Sequence, residues 1–315
     1  MKSYESSLLA RAEGQLSVEA EAVGGGLNRT DARLNVLEAA AATVGGWSLT
    51  RYQSRFLSGA GATQHLKNSG AEVLREIQRT PIPIPLALAA LSREVLDAAE
   101  QRRSGAFYTD WRLATHLASR SAREAARTGP WIDPASGSGT LLVAAAMTVS
   151  PGAERDAVIA ELLLGSDLSA NAIRGARLAL ASLTSDLEVV KHLNTRLLVQ
   201  DSLKSSGVWS TVAPHGAALV IANPPWEKLR ITRHEAEKAD GFERKYGSDH
   251  VRTVDVSAPR TQLLQYVEEV VAATRLQGTG EHDLYKLFLE LGMGLLADQG
   301  VLAMLLPAGL IRSQG

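Results

Sequence analysis

The chain has no cysteine at all. Disulfides and thiolate metal sites are thereby excluded, no metal is expected, and the composition suits the cytoplasm. It also lacks an excess of either charge. Lys and Arg total 33 and Asp and Glu total 34, for a net charge of −1. General attraction to a polyanion is therefore not written into the chain as a whole; such a partner would need a local basic face or a further segment. Long hydrophobic runs are missing too. The longest, LLVAAAMTV and VLAMLLPAGLI, are too short or too interrupted to cross a bilayer. The N-terminus, MKSYESSLLARAEGQ, has one early Lys and no continuous apolar core, so it is not a secretory signal and no membrane association is expected.

What is present is a 315-residue chain, 45% hydrophobic and 21% charged, with enough apolar material for one large domain or two ordinary ones. Residues 1–100 read as an N-terminal helical domain. MKSYESSLLARAEGQLSVEAEAV has helical spacing and stops at Gly24–Gly26. TDARLNVLEAAAATV has Thr30 as its expected N-cap and ends at Gly45 and Gly46. AEVLREIQRT is amphipathic, with Leu74 and Ile77 on one face. PIPIP (81–85) reads as an extended connector, and LALAALSREVLDAAEQRR resumes helical character.

From residue 101 the rhythm changes. Short apolar runs, WIDP (131–134), LLLGSDL (162–168), LLVQDSL (197–203), AALVIANPP (217–225) and VLAMLLP (301–307), alternate with the helical segments LLVAAAMTV, ANAIRGARLALASL and DLYKLFLELGMGLLADQG. Strand–helix alternation predicts an α/β fold, a Rossmann-like, doubly wound, mostly parallel sheet with helices on both faces. Ligands bind such sheets outside the carboxyl ends of the strands. Residues 230–282 interrupt the rhythm with a long polar insertion of mixed charge and little periodicity.

The strand ends carry a pattern. The first gives Asp133-Pro134-Ala135-Ser136-Gly137-Ser138-Gly139-Thr140 before an apolar helix. Glycines let the backbone turn tightly beside a ligand, and the helix N-terminus offers free N–H groups. A dinucleotide fingerprint would place a third glycine where Leu142 stands, and an acid at the front repels a pyrophosphate. Asp133 suits the cationic amino-acid end of a ligand better; the plain alternative is a tight strand-to-helix link. The second strand end carries Asp167-Leu168, whose acid either accepts from both hydroxyls of a ribose or caps the next helix. The third carries Asp201-Ser202, whose acid either accepts from the exocyclic amine of an adenine or serves the turn. A nucleoside with a cationic amino-acid tail would use all three acids, and S-adenosylmethionine is such a molecule.

The fourth strand ends in Asn223-Pro224-Pro225-Trp226. Asn223 offers an acceptor oxygen and two donor hydrogens, while the prolines lack N–H groups and stop the strand. The Asn oxygen and the Pro224 carbonyl can converge on one exocyclic amine and draw its lone pair out of conjugation. Trp226 can stack on the flat ring that carries the amine, as in enzymes that act on a flipped base. The alternative is a strained loop with a packed Trp. Upstream, Gly105-Ala106-Phe107-Tyr108-Thr109 precedes a helix and offers two aromatics, either to a cofactor or to the core.

In this order, GAFYT, DPASGSGT, GSDLSANAI, QDSL, ANPPW and DLYKLFLELGMGLLADQGVLAMLLP resemble the amino-methyltransferases that act on adenine N6 in DNA. Cofactor motifs before N-P-P-W resemble the gamma arrangement, and within it the type IIG methylases and those of BREX- and DISARM-like restriction–modification and phage-defence systems. The resemblance covers about residues 95–315. It implies a class I methyltransferase that transfers methyl from S-adenosylmethionine to N6 of a flipped-out adenine in double-stranded DNA, without a covalent nucleophile. It implies that Phe107, Tyr108, Thr109, Asp133, Ala135, Gly137, Asp167, Leu168, Asp201 and Ser202 bind the cofactor. Asn223, Pro224, Pro225 and Trp226 would hold the adenine.

Two residues depart from the family pattern. Asp110 stands where Pro is usual and can cap the next helix; Ser136 replaces Cys, a near-isosteric change. The chain also ends soon after the VLAMLLP run. The catalytic domain, 101–315, is thus expected to be incomplete at its C-terminus, with a target-recognition region or a separate specificity subunit supplying the DNA reading. Two other functions share these motifs: an N-P-P-aromatic methyltransferase acting on protein glutamine or ribosomal-RNA guanine, and a non-catalytic cofactor-binding subunit of a defence complex. The glutamine enzymes carry a P-R-P-E-T-like stretch where this chain has GAFYT.

Overall fold

The computed structural model describes residues 4–56, 61, 63–93, 109–204, 206–226, 257–272, 274–276 and 283–311. Six helices come first: α1 (Tyr4–Leu8), α2 (Ala10–Val23), α3 (Arg29–Gly45), α4 (Leu49–Phe56), α5 (Gln64–Gln78) and α6 (Ile84–Leu91). After α7 (Trp111–Glu124) the sheet begins. Its strands are β1 (Trp131–Asp133), β2 (Leu163–Asp167), β3 (Leu197–Val199), β4 (Ala217–Ala222) and β5 (Leu296–Met304). Between them run α8 (Thr140–Met147), α9 (Ala153–Ala157), α10 (Ala170–Ala181), α11 (Leu187–Arg196), α12 (Ser206–Val212), α13 (Ser257–Ala272) and α14 (Leu284–Leu295).

The five strands lie in the order β3-β2-β1-β4-β5, and every pair is parallel. This is the doubly wound class I methyltransferase-like architecture with helices before it. The chain first builds outward through β2 and β3, then returns to lay β4 on the other side of β1. The topological switch therefore lies between β1 and β4, and a ligand crevice is expected outside their carboxyl ends. Strand residues alternate between two faces. Trp131, Leu163, Leu219 and Ile221 join the larger core with α8 and α10. Ile132, Leu164 and Val220 join a smaller core with Trp209 and, more peripherally, Leu291 and Leu295.

The N-terminal helices share the larger core, which continues through Leu37, Leu88, Leu142, Ile173 and Leu178. Helix α3 is buried nearly all round, and three of its polar residues are matched to α10. Arg174 donates to Glu38 at 2.7 Å, Asn35 at 2.6 Å and Asp31 at 3.1 Å. Trp47 Nε1 adds a bond to the Ala181 carbonyl at 3.3 Å. A charge this deep is tolerable only when paired and hydrogen-bonded.

Three local expectations change. The N-cap of α3 is Asn28, not Thr30: its backbone is extended and its side chain accepts the Asp31 N–H at 2.8 Å. PIPIP is connector only to Pro83, the N-cap of α6; Pro85 sits in the first turn, where a missing N–H costs nothing. The helix read through to Gly300 stops at Leu295, and Leu296 opens β5. Ala217 pairs with Leu296 while Leu219 pairs with Val301, so the strand bulges through Gln299, whose φ is +64°. Within the polar insertion, the described part includes helix α13.

Candidate active site

The loop after β1 is shaped by two glycines. Gly137 has φ +52° with open space where a side chain would begin. Gly139, with φ +80°, caps α8, and a Cβ there would lie 2.8 Å from the Ala176 Cβ. The turn is closed by Ser136 N–H to the Ser166 carbonyl at 2.9 Å and Gly139 N–H to the Ser136 carbonyl at 2.8 Å. Ser136 thus ties the loop of β1 to the end of β2.

Two of the acids meet at this loop. Asp133 is 1% exposed and accepts the Ala135 N–H at 3.0 Å. Burial pushes its carboxyl up to about 8, the Ala135 N–H opposes the shift, and the charge of Asp167 adds to it. Asp167 accepts the Gly137 N–H at 3.0 Å and the Ser169 N–H at 2.9 Å, so its carboxylate spans the β1 loop and its own turn. Leu168 beside it is 72% exposed, an apolar side chain presented to the outside of the sheet end.

At the end of β3, Asp201 accepts the Leu203 N–H at 3.0 Å and is hydrogen-bonded by Tyr266 of α13. Burial and the Asp201 carboxylate raise the Tyr266 phenol well above its ordinary value. The buried Ser202 hydroxyl donates to the Pro134 carbonyl at 2.5 Å, and Trp209 Nε1 donates to the Ser202 carbonyl at 3.3 Å. Ser202 thereby ties the β3 end to the β1 end.

At the end of β4, the Ala222 carbonyl accepts the Leu305 N–H at 3.0 Å, after which two prolines end the ladder. Asn223 Nδ2 donates to the Thr109 hydroxyl at 3.0 Å. Pro224 is buried, Pro225 half-buried, and Trp226 38% exposed with Nε1 donating to the Leu305 carbonyl at 3.2 Å. Asp110 caps α7 by accepting the Arg112 N–H at 2.9 Å; its hydrogen bond to the Arg112 side chain holds its carboxyl below the ordinary value.

Of the residues singled out in the sequence, direct hydrogen bonds pair Asp133 with Ala135, Gly137 with Asp167, and Thr109 with Asn223. Ser202 reaches the same β1 turn through Pro134. Asp201 and Leu168 stand at their strand ends. Phe107 and Tyr108 lie outside the described residues. Sequence reasoning missed Glu5, Arg93 and Tyr266, whose contacts here come from distant segments and leave no local pattern. Among the described residues, no group of three or more His, Cys, Asp or Glu side chains is arranged to hold a metal ion, and no helix is long and apolar enough to cross a membrane.

Comparison with known proteins gives a family. The model of the N-6 DNA methylase family matches residues 94–270, more than half of the chain. No curated protein matches the sequence. Among solved structures, the chain is similar to DrdV in its complex with DNA, with TM-score 0.49 and 16% identity, over 96% of this chain and 33% of that one. It is similar to the type I restriction–modification methyltransferase subunit of Streptococcus thermophilus, with TM-score 0.47 and 19% identity, over 95% and 57%. It is similar to the type ISP restriction–modification enzyme LlaBIII bound to DNA, with TM-score 0.43 and 10% identity, over 98% and 24%. The chain thus spans about a third of the first of these proteins, and likeness at this level carries no functional meaning. The match over residues 94–270 carries the assignment: the chain belongs to the N-6 DNA methylase family.

Proposed function

We propose that this chain transfers a methyl group from S-adenosylmethionine to N6 of an adenine flipped out of double-stranded DNA, as part of a gamma-class restriction–modification or phage-defence methyltransferase. The observation that carries the proposal is the placement of Asp133 and Asn223. They stand at the carboxyl ends of β1 and β4, the neighbouring strands that flank the topological switch.

The residues present fit the cofactor. Asp133 is a buried carboxyl whose pKa is raised to about 8, so its charged form gains from a cation placed beside it. An amino-acid ammonium is such a cation. Asp167 stands one strand further out, where it would accept from a ribose diol, and exposed Leu168 would offer an apolar surface to a purine face. Asp201, whose carboxylate Tyr266 shares, would accept from an adenine amine. Thr109, Ala135, Gly137, Ser202, Phe107 and Tyr108 complete the proposed cofactor set. Bound S-adenosylmethionine supplies the electrophilic methyl.

The chain's own residues prepare the acceptor. Because Asn223 donates its amide hydrogen to Thr109, its oxygen is the end of the carboxamide that accepts from the target amine. The Pro224 carbonyl is the second acceptor. Two acceptors on one amino group pull its lone pair out of the ring and leave it directed away from the ring plane. Trp226, anchored through its Nε1, is the stacking wall. The Asn223 oxygen can also stabilise the positive charge that develops on the methylated amine until its proton leaves to water. DNA recognition belongs to a target-recognition region or a separate specificity subunit.

Replacing Asn223 with Ala separates chemistry from binding. Methyl transfer should fall by roughly a hundredfold or more, with cofactor affinity nearly intact. Full activity in that variant would contradict the role given to Asn223.

A further inference from the structure

Arg93 follows α6, and Glu5 lies in α1, 88 residues away. Their side chains form an ion pair in which Glu5 is 4% and Arg93 12% exposed. Charges so deeply placed need hydrogen bonds of good geometry, and both partners direct further bonds at one short segment. Arg93 Nη2 donates to the Thr109 carbonyl at 2.6 Å. The second carboxylate oxygen of Glu5 accepts the Trp111 N–H at 3.0 Å. The same guanidinium nitrogen lies 3.5 Å from the Thr140 hydroxyl at the start of α8. Glu5 and Arg93 therefore clamp residues 109–111 from both ends.

Between those ends sits the hydroxyl that holds Asn223. Thr109 is buried, and its Oγ1 accepts from Asn223 Nδ2 at 3.0 Å. A carboxamide is nearly symmetric in shape, so packing alone barely distinguishes its oxygen from its nitrogen. A flip would set an NH2 against an incoming amine, donor against donor. A shift of about 1 Å in the Thr109 backbone would loosen the bond that holds the carboxamide in place, and misplacement on that scale costs roughly a hundredfold in rate.

We propose that the Glu5–Arg93 pair is a positioning device for methyl acceptor chemistry: it fixes Thr109, and through the Thr109 hydroxyl it fixes the orientation of the Asn223 carboxamide. This deepens the functional reading above and rests on it. It makes helix α1 part of the machinery that positions the methyl acceptor.

The test reads the carboxamide itself. In two-dimensional NMR of the ¹⁵N-labelled full chain, the Asn223 side-chain amide signals are assigned by their loss in an Asn223→Ser variant, and their hydrogen exchange is measured. Arg93→Gln should speed exchange of the Asn223 carboxamide roughly tenfold, the worth of one charge-assisted bond. The backbone amides of β1 and β4 should keep their protection. Arg93→Lys, which retains the charge, should fall in between. Glu5→Gln is nearly isosteric and keeps an acceptor for Trp111; it is read in the same way if Arg93→Gln does not fold. Unchanged carboxamide exchange in both variants would overturn the proposal. So would carboxamide loss that merely parallels the β1 and β4 amides, since that is a loss of stability. In methylation assays, kcat should fall roughly tenfold to a hundredfold, more than cofactor affinity does. A chain that protects the Asn223 amide as described yet methylates no DNA would support the clamp and contradict the functional reading.

Discussion

Asn223 and Thr109 lie 114 residues apart in sequence, yet the carboxamide of one donates to the hydroxyl of the other at 3.0 Å. That bond joins the end of β4 to the entry of α7. It orients the Asn223 amide, and it depends on where the N-terminal helices place Thr109. The proposed chemistry and the fold of the first six helices therefore meet at one contact.

Asp133 makes stability depend on pH. Its folded carboxyl titrates at about 8 against an ordinary 3.8. Between those values the folded chain holds a proton that the unfolded chain has released, so stability falls as pH rises from about 4 through about 8. Urea denaturation at pH 5, 6, 7 and 8 should show that decline, and Asp133→Asn should flatten it. A decline of equal slope in the variant would assign it to other groups.

The same carboxyl should couple cofactor binding to proton release. At pH 7 Asp133 is mostly protonated before binding, and a cationic amino-acid group beside it favours the charged form. Calorimetric titration in two buffers of different ionisation enthalpy should reveal release of about one proton per cofactor bound. Asp133→Asn should bind more weakly and release none. Proton release that survives in Asp133→Asn would move the ammonium to another acid.

Gly139 admits no side chain. With φ at +80° and the Ala176 Cβ 2.8 Å from a new methyl, Gly139→Ala should cost roughly 2 kcal/mol or more. It should also weaken cofactor binding, because the loop carrying Gly137 must shift. Chemical denaturation and equilibrium dialysis check the two effects separately. Wild-type stability in the variant would show that α8 and α10 can part without cost.

Glu38 is fully buried against Arg174, and Gln53 donates to its second oxygen at 3.2 Å. Glu38→Ala leaves a guanidinium between α3 and α10 without its principal acid, and should destabilise the chain by about 3–5 kcal/mol. Glu38→Gln keeps an acceptor oxygen and should lose less. Urea midpoints of the two variants measure the order, and equal losses would show that the retained acceptor contributes nothing beyond the charge.

The strand ends were legible because a buried parallel strand is a short apolar run that must stop at a polar or glycine-bearing turn. Asp133, Asp167, Asp201 and Asn223 each stand at or just past such a stop, and the residues between them set the α/β order. Helix limits were less legible. Leu295, Leu296 and Ala297 continue a helical pattern, and only pairing of Leu296 with Ala217 turns the chain into strand. Asn28 and Thr30 are both good caps, and the choice was made by the extended backbone at Asn28. Glu5, Arg93 and Tyr266 could not be read at all, since their roles come from partners at least 16 residues away and no local spacing marks them.

The central claim is tested most directly by locating the methyl group. The chain is incubated with tritiated S-adenosylmethionine and unmethylated double-stranded DNA, and the DNA is digested to nucleosides. The account predicts label in N6-methyladenosine of the deoxy series, at a level lower by roughly a hundredfold or more when Asn223 is replaced by Ala. Label confined to another nucleoside, or cofactor binding without any methylated DNA, would contradict it.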